Sequence, residues 1–359
     1  MNEFMDIPIL LCKDDQKKPV PKDSELVFGK KFTNHMFFMH YADSKWNNPR
    51  IIPYQSFEMD PACAVLHYSQ TIFEGMKAFR HPDESIHLFR PYENAERMNL
   101  SAERMSMPKI NKDLFVKAIT ELIRIDKEWV PHSPGTSLYI RPTMIASETF
   151  LGLRPSNEFY FFVILSPVGP FFKDGFKPTK AYVAKENVRA TPGGTGEAKT
   201  GGNYGGTLYE TQIAKDLGYP MVIWLDSKER RFVEEGSGMN IMFVVDGELY
   251  TPPLRGTILK GITRKSVLEL AQTLGYKTHE ESIDINVLVD QINTGNCTEV
   301  FFVGTAASIT PVGEIYHKEQ AYIINNGEVG SITQKLYDEL VGIQTGKKKD
   351  PFNWTYKVV

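Results

Sequence analysis

The amino-acid sequence predicts an α+β protein with two domains. At 359 residues the chain is long for a single hydrophobic core, so two domains are the default expectation. The predicted elements include hairpins as well as crossovers, which favours α+β over a doubly wound parallel sheet. Residues 166–180 (SPVGPFFKDGFKPTK) contain three prolines and two glycines without periodicity, as a linker or loop does. We therefore expect an N-terminal domain over residues 1–167, a loop over 168–180 and a C-terminal domain over 181–359.

Strands and helices alternate in the first half of the chain. Within residues 113–130, apolar residues recur at helical spacing with acidic residues between them, which predicts an amphipathic helix. The run that begins at Phe159 is rich in aromatic and β-branched residues and is too short to span a bilayer, so it predicts a buried strand over 159–166. The other elements predicted in this half are extended segments over 32–41, 51–53 and 137–142 and a helix over 94–105.

The second half combines strands, helices and a hairpin. Asp246 and Gly247 lie between two apolar runs and predict the turn of a hairpin over residues 240–250. Gly218 and Gly275 are typical of the residue that follows a helix, and they predict the ends of two helices. These helices are predicted over 208–217 and 262–274, and strands are predicted over 181–184, 221–225 and 300–303.

The composition disfavours several classes of function. A net charge of −3 provides no electrostatic footprint for nucleic acid or an anionic membrane surface. The three cysteines and eight histidines show neither a disulfide framework nor metal-ligand spacing, so no metal is expected. No GxGxxG follows a predicted strand, which disfavours a Rossmann site. The first residues lack the basic region of a signal peptide, and we expect a cytoplasmic protein.

One segment, GGTGEAKTGGNYGG at residues 193–206, carries the strongest functional signal. Half of its residues are glycine, and Lys199 lies among them. Two chemistries place glycines beside a lysine. A P-loop binds the phosphates of a nucleotide on backbone N–H groups. Alternatively, a Schiff-base lysine attacks the aldehyde of pyridoxal phosphate (PLP) and needs small neighbours beside the flat ring.

The residues around Lys199 disfavour the P-loop. The P-loop pattern requires glycine where this chain has Ala198, and it requires a helix that begins at the lysine and the next residue. Residues 201–206 (GGNYGG) contain four glycines, each of which costs about 1 kcal/mol relative to alanine inside a helix. We therefore expect no helix directly after Thr200.

The PLP hypothesis requires partners for the ring nitrogen and the phosphate. A carboxylate against the ring nitrogen makes the ring an electron sink, and Glu234 and Glu235 are both candidates. The segment GITRKS at 261–266 offers the N-terminus of a helix, whose amides bind phosphate.

Five motifs, in this order along the chain, resemble those of the branched-chain-amino-acid aminotransferases, which are PLP enzymes of fold type IV. The motifs are FEGMKAFR, KTGGNYGG, EGSGMNIMFV, GITRKSVLELA and GTAASITPV. The resemblance implies the two-domain fold of D-amino-acid aminotransferase, with a smaller N-terminal α/β domain and a larger C-terminal domain that binds PLP. One departure is that Ala307 and Thr310 stand where mammalian members carry a CxxC motif.

The resemblance implies a role for each cofactor residue. Lys199 matches the Schiff-base lysine, which also moves the proton between the substrate Cα and C4′ of the cofactor. Tyr204 matches the tyrosine that hydrogen-bonds the phenolic oxygen of the ring. Glu235 matches the carboxylate on the ring nitrogen, because the five-residue step to Asn240 favours it over Glu234. The phosphate contacts implied by the resemblance are Arg97, Ile262, Thr263 and Thr305.

The resemblance also implies a substrate pocket. Its side-chain members are Phe28, Tyr68, Phe73, Tyr139, Arg141, Leu153 and Phe171, and the amides of the turn at Ala306 and Ala307 receive the substrate carboxylate. An aromatic pocket accepts Leu, Ile or Val side chains by burial alone. Arg141 would allow the same pocket to take the second carboxylate of glutamate. In the family, the residue at the position of Leu153 reaches the neighbouring subunit's site, so the resemblance implies a homodimer.

The resulting hypothesis is a PLP transaminase that moves an amino group between Leu, Ile or Val and 2-oxoglutarate. The nearest alternative is another fold type IV activity, such as D-amino-acid transamination or a PLP lyase. A P-loop nucleotide-binding protein is a more distant alternative. The expected partners are small amino acids and 2-oxo acids, without nucleic acid or membrane.

Overall fold

The computed structural model describes residues 6–170 and 175–359, and these residues form two compact units. The strands, numbered along the chain, are β1 (His35–Ala42), β2 (Lys45–Pro53), β3 (Thr71–Phe73), β4 (Met76–Arg80), β5 (Ile86–Phe89), β6 (Ser137–Ala146), β7 (Phe159–Val168), β8 (Thr179–Val183), β9 (Met221–Leu225), β10 (Val233–Gly236), β11 (Asn240–Val245), β12 (Glu248–Thr251), β13 (Thr278–Glu280), β14 (Cys297–Gly304), β15 (Ser308–His317), β16 (Gln320–Ile323) and β17 (Thr355–Lys357). The helices are α1 (Ala64–Tyr68), α2 (Pro91–Arg104), α3 (Lys112–Ile125), α4 (Gly201–Gly205), α5 (Leu208–Asp216), α6 (Ile262–Thr273), α7 (Ile285–Thr294) and α8 (Ser331–Gln344). Short 3-10 helices lie at Asp14–Gln16, Asp23–Glu25, Lys127–Trp129 and Asn325–Gly327.

The division into units differs from the predicted division at two places. The first unit contains the described residues up to 170 together with Ala198–Gly201 and Ile343–Val359, and the second contains the rest. Of the described residues, 170 belongs to the first unit and 175 to the second, and both lie inside the predicted loop, 168–180. Two segments of the predicted C-terminal domain nevertheless pack with the first unit. Hydrogen bonds join residues 199 and 200 to β3, and β17 pairs with β5, so both segments complete the first sheet.

The first unit is built on an antiparallel sheet of the order β17-β5-β4-β6-β7-β1-β2, with β3 also paired to β6, among the described residues. Helices α2 and α3 bury their apolar faces in the same core as this sheet. The predicted helix over 113–130 ends at Ile125, which is earlier than expected. Asp126 follows it, and the Asp126 carboxylate accepts hydrogen bonds from the backbone N–H and Nδ1 of His35 at 3.0 and 2.7 Å.

The second unit is built on a mixed sheet of the order β10-β9-β8-β15-β14-β11-β12-β13, with β16 paired to β15, among the described residues. Strands β8, β9 and β15 run parallel, whereas β11, β14 and β15 are antiparallel neighbours. The predicted hairpin is confirmed, because β11 and β12 pair and the turn residues Asp246 and Gly247 have φ values of 49° and 78°. Positive φ at both turn residues suits the right-handed twist of the strands.

One local prediction was wrong, since a helix does follow Thr200. Helix α4 is a five-residue turn from Gly201 to Gly205. It is held by tertiary hydrogen bonds, because Thr195 Oγ1 donates to Asn203 Oδ1 and Asn203 Nδ2 donates to Thr195 O, both at 2.7 Å. These contacts offset the low helix propensity of glycine.

The structure also bears on membrane-spanning helices, metal ligands and cysteines. Within residues 6–170 and 175–359, none of the helices has the length and apolar content that crossing a bilayer requires. In the same residues, no group of three or more His, Cys, Asp or Glu side chains is arranged to hold a metal ion. Cys12, Cys63 and Cys297 are buried free thiols.

Candidate active site

Lys199 lies in a short segment that the first unit holds by hydrogen bonds. Its N–H donates to Ser101 Oγ at 2.9 Å, and its carbonyl accepts from the N–H of Phe73 at 3.0 Å. The next residue, Thr200, donates from Oγ1 to Thr71 O at 2.7 Å. The backbone of Lys199 is therefore fixed against β3 and α2, and its side chain is half-buried.

The aromatic and cationic residues predicted for the pocket cluster around this lysine. Lys199 Nζ lies 5.0 Å from the centre of the Phe73 ring. The guanidinium carbon of Arg141 lies 4.8 Å from the same ring centre and 5.3 Å from that of Tyr139. Phe28 packs edge-on against Tyr139, with ring centres 4.9 Å apart. Tyr139 and Arg141 are two residues apart on β6, which places both side chains on one face of the sheet.

Arg141 has hydrogen-bonding capacity left over in this cluster. Its Nη2 donates to Tyr139 Oη at 3.2 Å, but its buried Nε has no hydrogen-bond partner among the described residues. Buried polar groups are almost always hydrogen-bonded in native proteins. The orphaned N–H of Arg141 is therefore suited to an acceptor that a ligand supplies.

Arg97, the predicted phosphate residue, is buried in an ion pair. Its Nε and Nη2 donate to the two carboxylate oxygens of Glu74 at 2.7 and 2.8 Å, and Asn94 Nδ2 donates to Glu74 at 2.8 Å. Burial by itself raises the pKa of Glu74, but the charge and hydrogen bonds of Arg97, with a contribution from Lys199, hold that pKa below its ordinary value. Glu74 is therefore an anion that fixes the orientation of Arg97 on α2.

Three other predicted pocket residues of the first part of the chain are exposed or lie outside the described residues. Tyr68 is 40% exposed at the end of α1 and donates from its hydroxyl to Leu151 O. Leu153 is 87% exposed, which makes it one of the most exposed apolar side chains described. Phe171 lies outside the described residues, so its predicted role stays a prediction.

In the second unit, Glu235 is a buried carboxylate held from two sides. Its Oε2 pairs with Nη2 of Arg189 at 2.7 Å and accepts the N–H of Leu259 at 2.7 Å. Both side chains are nearly inaccessible, at 3% exposure for Glu235 and 7% for Arg189. Glu234, its neighbour on β10, bonds instead to Thr257 Oγ1, so the two acids have separate environments.

The loop that supports Glu235 also leads to the predicted phosphate site. Asn240 Nδ2 donates to Leu259 O at 2.9 Å, and the Asn240 side chain lies so close to Gly261 that a Cβ there would overlap it. Gly261 is the N-cap of α6 and provides no side-chain cap. The first amides of α6, those of Ile262 and Thr263, are consequently suited to an anion.

The remaining predicted residues of the second unit are also positioned by glycines and turns. Tyr204 lies on α4, and its ring is next to Gly238, where a Cβ would be in ordinary van der Waals contact with it at 3.7 Å. Thr305, Ala306 and Ala307 form the turn between β14 and β15, where Thr305 is half-buried and Ala307 is buried.

Sequence reasoning did not single out two charged residues that the structure places at these sites. Glu74 lies inside the quoted motif FEGMKAFR, but its pairing with Arg97 depends on the packing of β3 and β4 against α2. Arg189 precedes the glycine-rich segment by only a few residues, and no spacing rule connects it to Glu235. A single buried arginine such as Arg189 belongs to no periodic sequence pattern that would reveal it.

The comparisons with known proteins place this chain in a family. The model of the amino-transferase class IV family matches residues 71–315. This chain belongs to the class IV aminotransferases. A curated relative, branched-chain-amino-acid aminotransferase 2 of Bacillus subtilis (strain 168), is 48% identical over 343 residues, which cover 95% of this chain and 94% of the relative.

Solved structures of class IV aminotransferases have the same fold. The branched-chain aminotransferase of Thermoproteus uzoniensis, solved with norvaline, is similar with a TM-score of 0.75 and 28% identity, covering 90% of this chain and all of the other. The branched-chain amino acid aminotransferase of T.th., complexed with N-(5'-phosphopyridoxyl)-L-glutamate, has a TM-score of 0.74 and 26% identity, covering 89% of this chain and 98% of the other. The fold is therefore that of the fold type IV PLP enzymes, as expected.

Class IV aminotransferases use PLP, and the residues of this chain fit that cofactor. Lys199 offers an amine in a segment with fixed backbone, Glu235 offers a buried carboxylate, and α6 offers an N-terminus without a capping side chain. This donor set matches an aldehyde, a ring nitrogen and a phosphate, respectively.

Proposed function

We propose that this enzyme reversibly transfers an amino group between L-leucine, L-isoleucine or L-valine and 2-oxoglutarate, giving the branched-chain 2-oxo acid and L-glutamate. The observation that carries the proposal is the arginine in an aromatic pocket. Phe73 and Tyr139 provide apolar walls, and the buried Nε of Arg141 lacks an acceptor in the described residues. Such a pocket accepts an apolar side chain by burial and a γ-carboxylate by pairing.

The proposed chemistry assigns one task to each residue. PLP, when bound, supplies a ring that withdraws the electron pair left on the substrate Cα when its proton departs. Lys199 would hold the cofactor, and its free amine would take the proton from the substrate Cα and deliver it to C4′ of the cofactor. Glu235 keeps a proton on the ring nitrogen. The amides of Ile262 and Thr263 and the side chains of Thr305 and Arg97 bind the phosphate.

The substrate carboxylates are assigned to two places. The amides of Ala306 and Ala307 receive the α-carboxylate that all substrates share. Arg141 receives the γ-carboxylate of glutamate or 2-oxoglutarate, because burying an ionised carboxylate without a partner costs far more than the roughly 2–7 kcal/mol of a neutral polar group. Tyr204 bonds the phenolic oxygen of the ring. Phe28, Tyr68 and Phe171 complete the pocket.

We also propose that the enzyme is a cytoplasmic homodimer. The high exposure of Leu153, at 87%, supports an interface there, since a large apolar side chain gains free energy when a partner covers it. The buried, unpaired state of Cys12, Cys63 and Cys297 suits a reducing compartment. Light scattering of the purified enzyme at several concentrations would test the dimer.

A panel of amino donors with 2-oxoglutarate as acceptor tests the activity. We expect turnover of the three branched-chain L-amino acids, and little with their D-enantiomers or with aspartate. Lys199→Ala should abolish both turnover and the visible absorbance of lysine-bound PLP, because the amine that bonds the cofactor is removed. Lys215→Ala, on the exposed face of α5, is the matched control and should retain both. Turnover of D-amino acids in preference to L-amino acids would replace this proposal with D-amino-acid transamination.

A further inference from the structure

A second cleft lies in the second unit, on the side of β10 that Glu234 faces. Its volume is about 340 Å³, which is within the range of about 300–1,000 Å³ that small-molecule sites occupy. Proline and aromatic side chains form much of its wall, including Pro192, Phe232 and Pro252. The pairing of β10 with β9 is irregular between Val233 and Glu235, and Glu234 lines this cleft whereas Glu235 does not.

Glu234 has an unusual environment for a carboxylate. The residue is only 8% exposed, and its Oε1 accepts a hydrogen bond from Thr257 Oγ1 at 2.6 Å. The other oxygen, Oε2, is buried and has no hydrogen-bond partner among the described residues. Burial raises the pKa of this carboxyl, although the Thr257 hydrogen bond and the charge of Arg189 oppose the rise. The carboxylate therefore lacks a donor on one side.

The charges around the cleft favour a cation. The carboxylate of Asp226 also lines the cleft and accepts backbone N–H groups from Lys228, Glu229, Arg231 and Phe232. Burial raises the pKa of Asp226, but these four N–H groups hold it below its ordinary value, so Asp226 is a fixed anion. The cationic side chains of Lys228 and Arg255 are exposed, where solvent and salt screen them.

We propose that this cleft is a second ligand site, which binds a small organic ammonium compound through an N–H···O bond to the Glu234 carboxylate. An ammonium group supplies the donor that Oε2 lacks and the charge that a buried carboxylate requires. The proline and phenylalanine walls call for a compact apolar body on the same ligand. A metal ion fits poorly, because no three His, Cys, Asp or Glu side chains among the described residues are arranged to hold one.

The cleft is connected to the proposed cofactor carboxylate through a short network. Thr257 donates its hydroxyl to Glu234, while its backbone carbonyl accepts a hydrogen bond from Nη2 of Arg189. The same Nη2 pairs with Glu235 at 2.7 Å. Thr257 and the guanidinium of Arg189 therefore connect an ammonium compound bound at Glu234 to Glu235, the carboxylate proposed to contact the cofactor ring.

The test measures binding of two matched probes to the holoenzyme. Protonated N-methylpyrrolidine carries one N–H and a positive charge, and as a tertiary amine it cannot form an imine with PLP. N-methylpyrrolidone has nearly the same size but is neutral and has no N–H donor. In ligand-observed NMR titrations we expect saturable binding of the cation and at least tenfold weaker binding of the neutral probe.

Three variants locate the site. Glu234→Gln keeps the shape but removes the charge, and it should weaken cation binding at least tenfold, which corresponds to about 1.4 kcal/mol. Glu234→Met, which has similar volume and no acceptor, should do the same if the glutamine variant fails to fold. Glu229→Gln, the same change at an exposed acid of the same cleft, should bind within twofold of the wild type. Equal binding of both probes, or unchanged binding by Glu234→Gln, would overturn the proposal. Neither outcome depends on whether the enzyme transaminates.

Discussion

The carboxylate of Glu235 pairs with the buried guanidinium of Arg189 and, by our proposal, also contacts the ring nitrogen of the cofactor. Glu235→Gln should keep PLP attached to Lys199 but lower turnover at least about a hundredfold, roughly 2.7 kcal/mol of barrier, since a neutral amide cannot hold a proton on the ring nitrogen. The same change removes the ion-pair partner of Arg189, and an unpaired buried charge costs about 3–5 kcal/mol. We therefore expect a lower melting temperature as well.

Single-turnover rates and thermal unfolding of Glu235→Gln would measure the two effects separately. Glu235→Asp is the informative comparison, because it keeps the charge and changes only the reach of the side chain. A loss of turnover below about tenfold in the glutamine variant would contradict the role assigned to Glu235.

Arg141 should distinguish the two halves of the reaction. Arg141→Ala removes the donor proposed for the γ-carboxylate, so kcat/KM for glutamate or 2-oxoglutarate should fall by an amount that corresponds to about 2–5 kcal/mol. The loss for leucine should be smaller, and it should reflect the stacking of the guanidinium on Phe73 and Tyr139, which is worth about 0.5–2 kcal/mol. Spectra of each half-reaction, followed at the cofactor absorbance, would measure both losses. Equal losses for both substrates would mean that Arg141 orders the pocket generally rather than binding the γ-carboxylate.

At the scale of an element, the junction between β3 and β4 determines the position of Tyr139. Gly75 lies against the Tyr139 hydroxyl, and a Cβ on Gly75 would approach it more closely than real Cβ atoms approach any neighbour. Gly75→Ala should therefore displace the Tyr139 ring and its hydrogen bond from Arg141, and raise KM for leucine and glutamate several-fold. Gly205→Ala, at a glycine with open space around its Cβ position, is the control for the loss of a glycine.

Steady-state kinetics of Gly75→Ala and of the double variant Gly75→Ala/Tyr139→Phe would check this interpretation. Removing the tyrosine hydroxyl removes the closest atom of the overlap, so the double variant should recover part of the affinity for leucine. If the double variant were no better than Gly75→Ala, the overlap with Tyr139 would not be the cause.

Some elements were predicted from local sequence patterns and others were not. Helix α6 and the hairpin of β11 and β12 were predicted correctly because the residues that end or connect them are local in the sequence. These residues are Gly275 after the helix and Asp246–Gly247 in the turn. The missed turn at α4 is the opposite case. Its stability comes from the Thr195–Asn203 hydrogen bonds, whose existence depends on the folded loop rather than on the propensity of the residues within the helix.

At the scale of the whole chain, the C-terminal segment completes the first unit and contacts a pair of stacked histidines, His81 and His87, next to it. Strand β17 pairs with β5, and His81 Nε2 donates to Gln344 O at 3.2 Å while its ring stacks on that of His87 at 3.8 Å. Ser85 Oγ donates to Asp83, so His87 Nε2 donates to Ser85 Oγ and leaves Nδ1 as a buried acceptor without a partner among the described residues.

Acid should destabilise this arrangement. Burial first, and then the neighbouring His81, lower the pKa of His87 to about 4. The unfolded chain, in which the pKa of histidine is about 6.5, binds the proton more readily, so stability is retained above that value and lost as the pH falls from about 6.5 to 4. We expect the melting temperature of His87→Gln to fall less steeply than that of the wild type in this range.

The control for this prediction is His67→Gln, at an exposed histidine on α1. Its melting temperature should follow the wild-type pH dependence. Thermal scans by circular dichroism at pH 7.5, 6, 5 and 4 would compare the three proteins. Parallel curves for His87→Gln and the wild type would show that His87 does not contribute to the acid sensitivity.

The sequence by itself determined the fold class, the family and the cofactor of this protein. The α+β class, the hairpin, helix α6 and the lysine in its glycine-rich segment follow from periodicity and turn residues, which are local along the chain. The five motifs indicated the family, because their residues and their order along the chain resemble those of the branched-chain-amino-acid aminotransferases. These patterns indicate candidate functional residues but not the residues with which they form hydrogen bonds or ion pairs.

Only the tertiary structure decided the partners. It paired Arg97 with Glu74 and Glu235 with Arg189, and it joined residues 198–201 and the C-terminal segment to the first unit. Among the described residues it also left Glu234 Oε2, beside a cleft, without a hydrogen-bond donor, which the residues adjacent in the sequence could not indicate. The physical reason is that a buried ion pair, or a buried oxygen without a donor, forms only where segments distant in the sequence pack together and exclude water. Which segments pack together is decided by the complete fold, so no local pattern of residues indicates it.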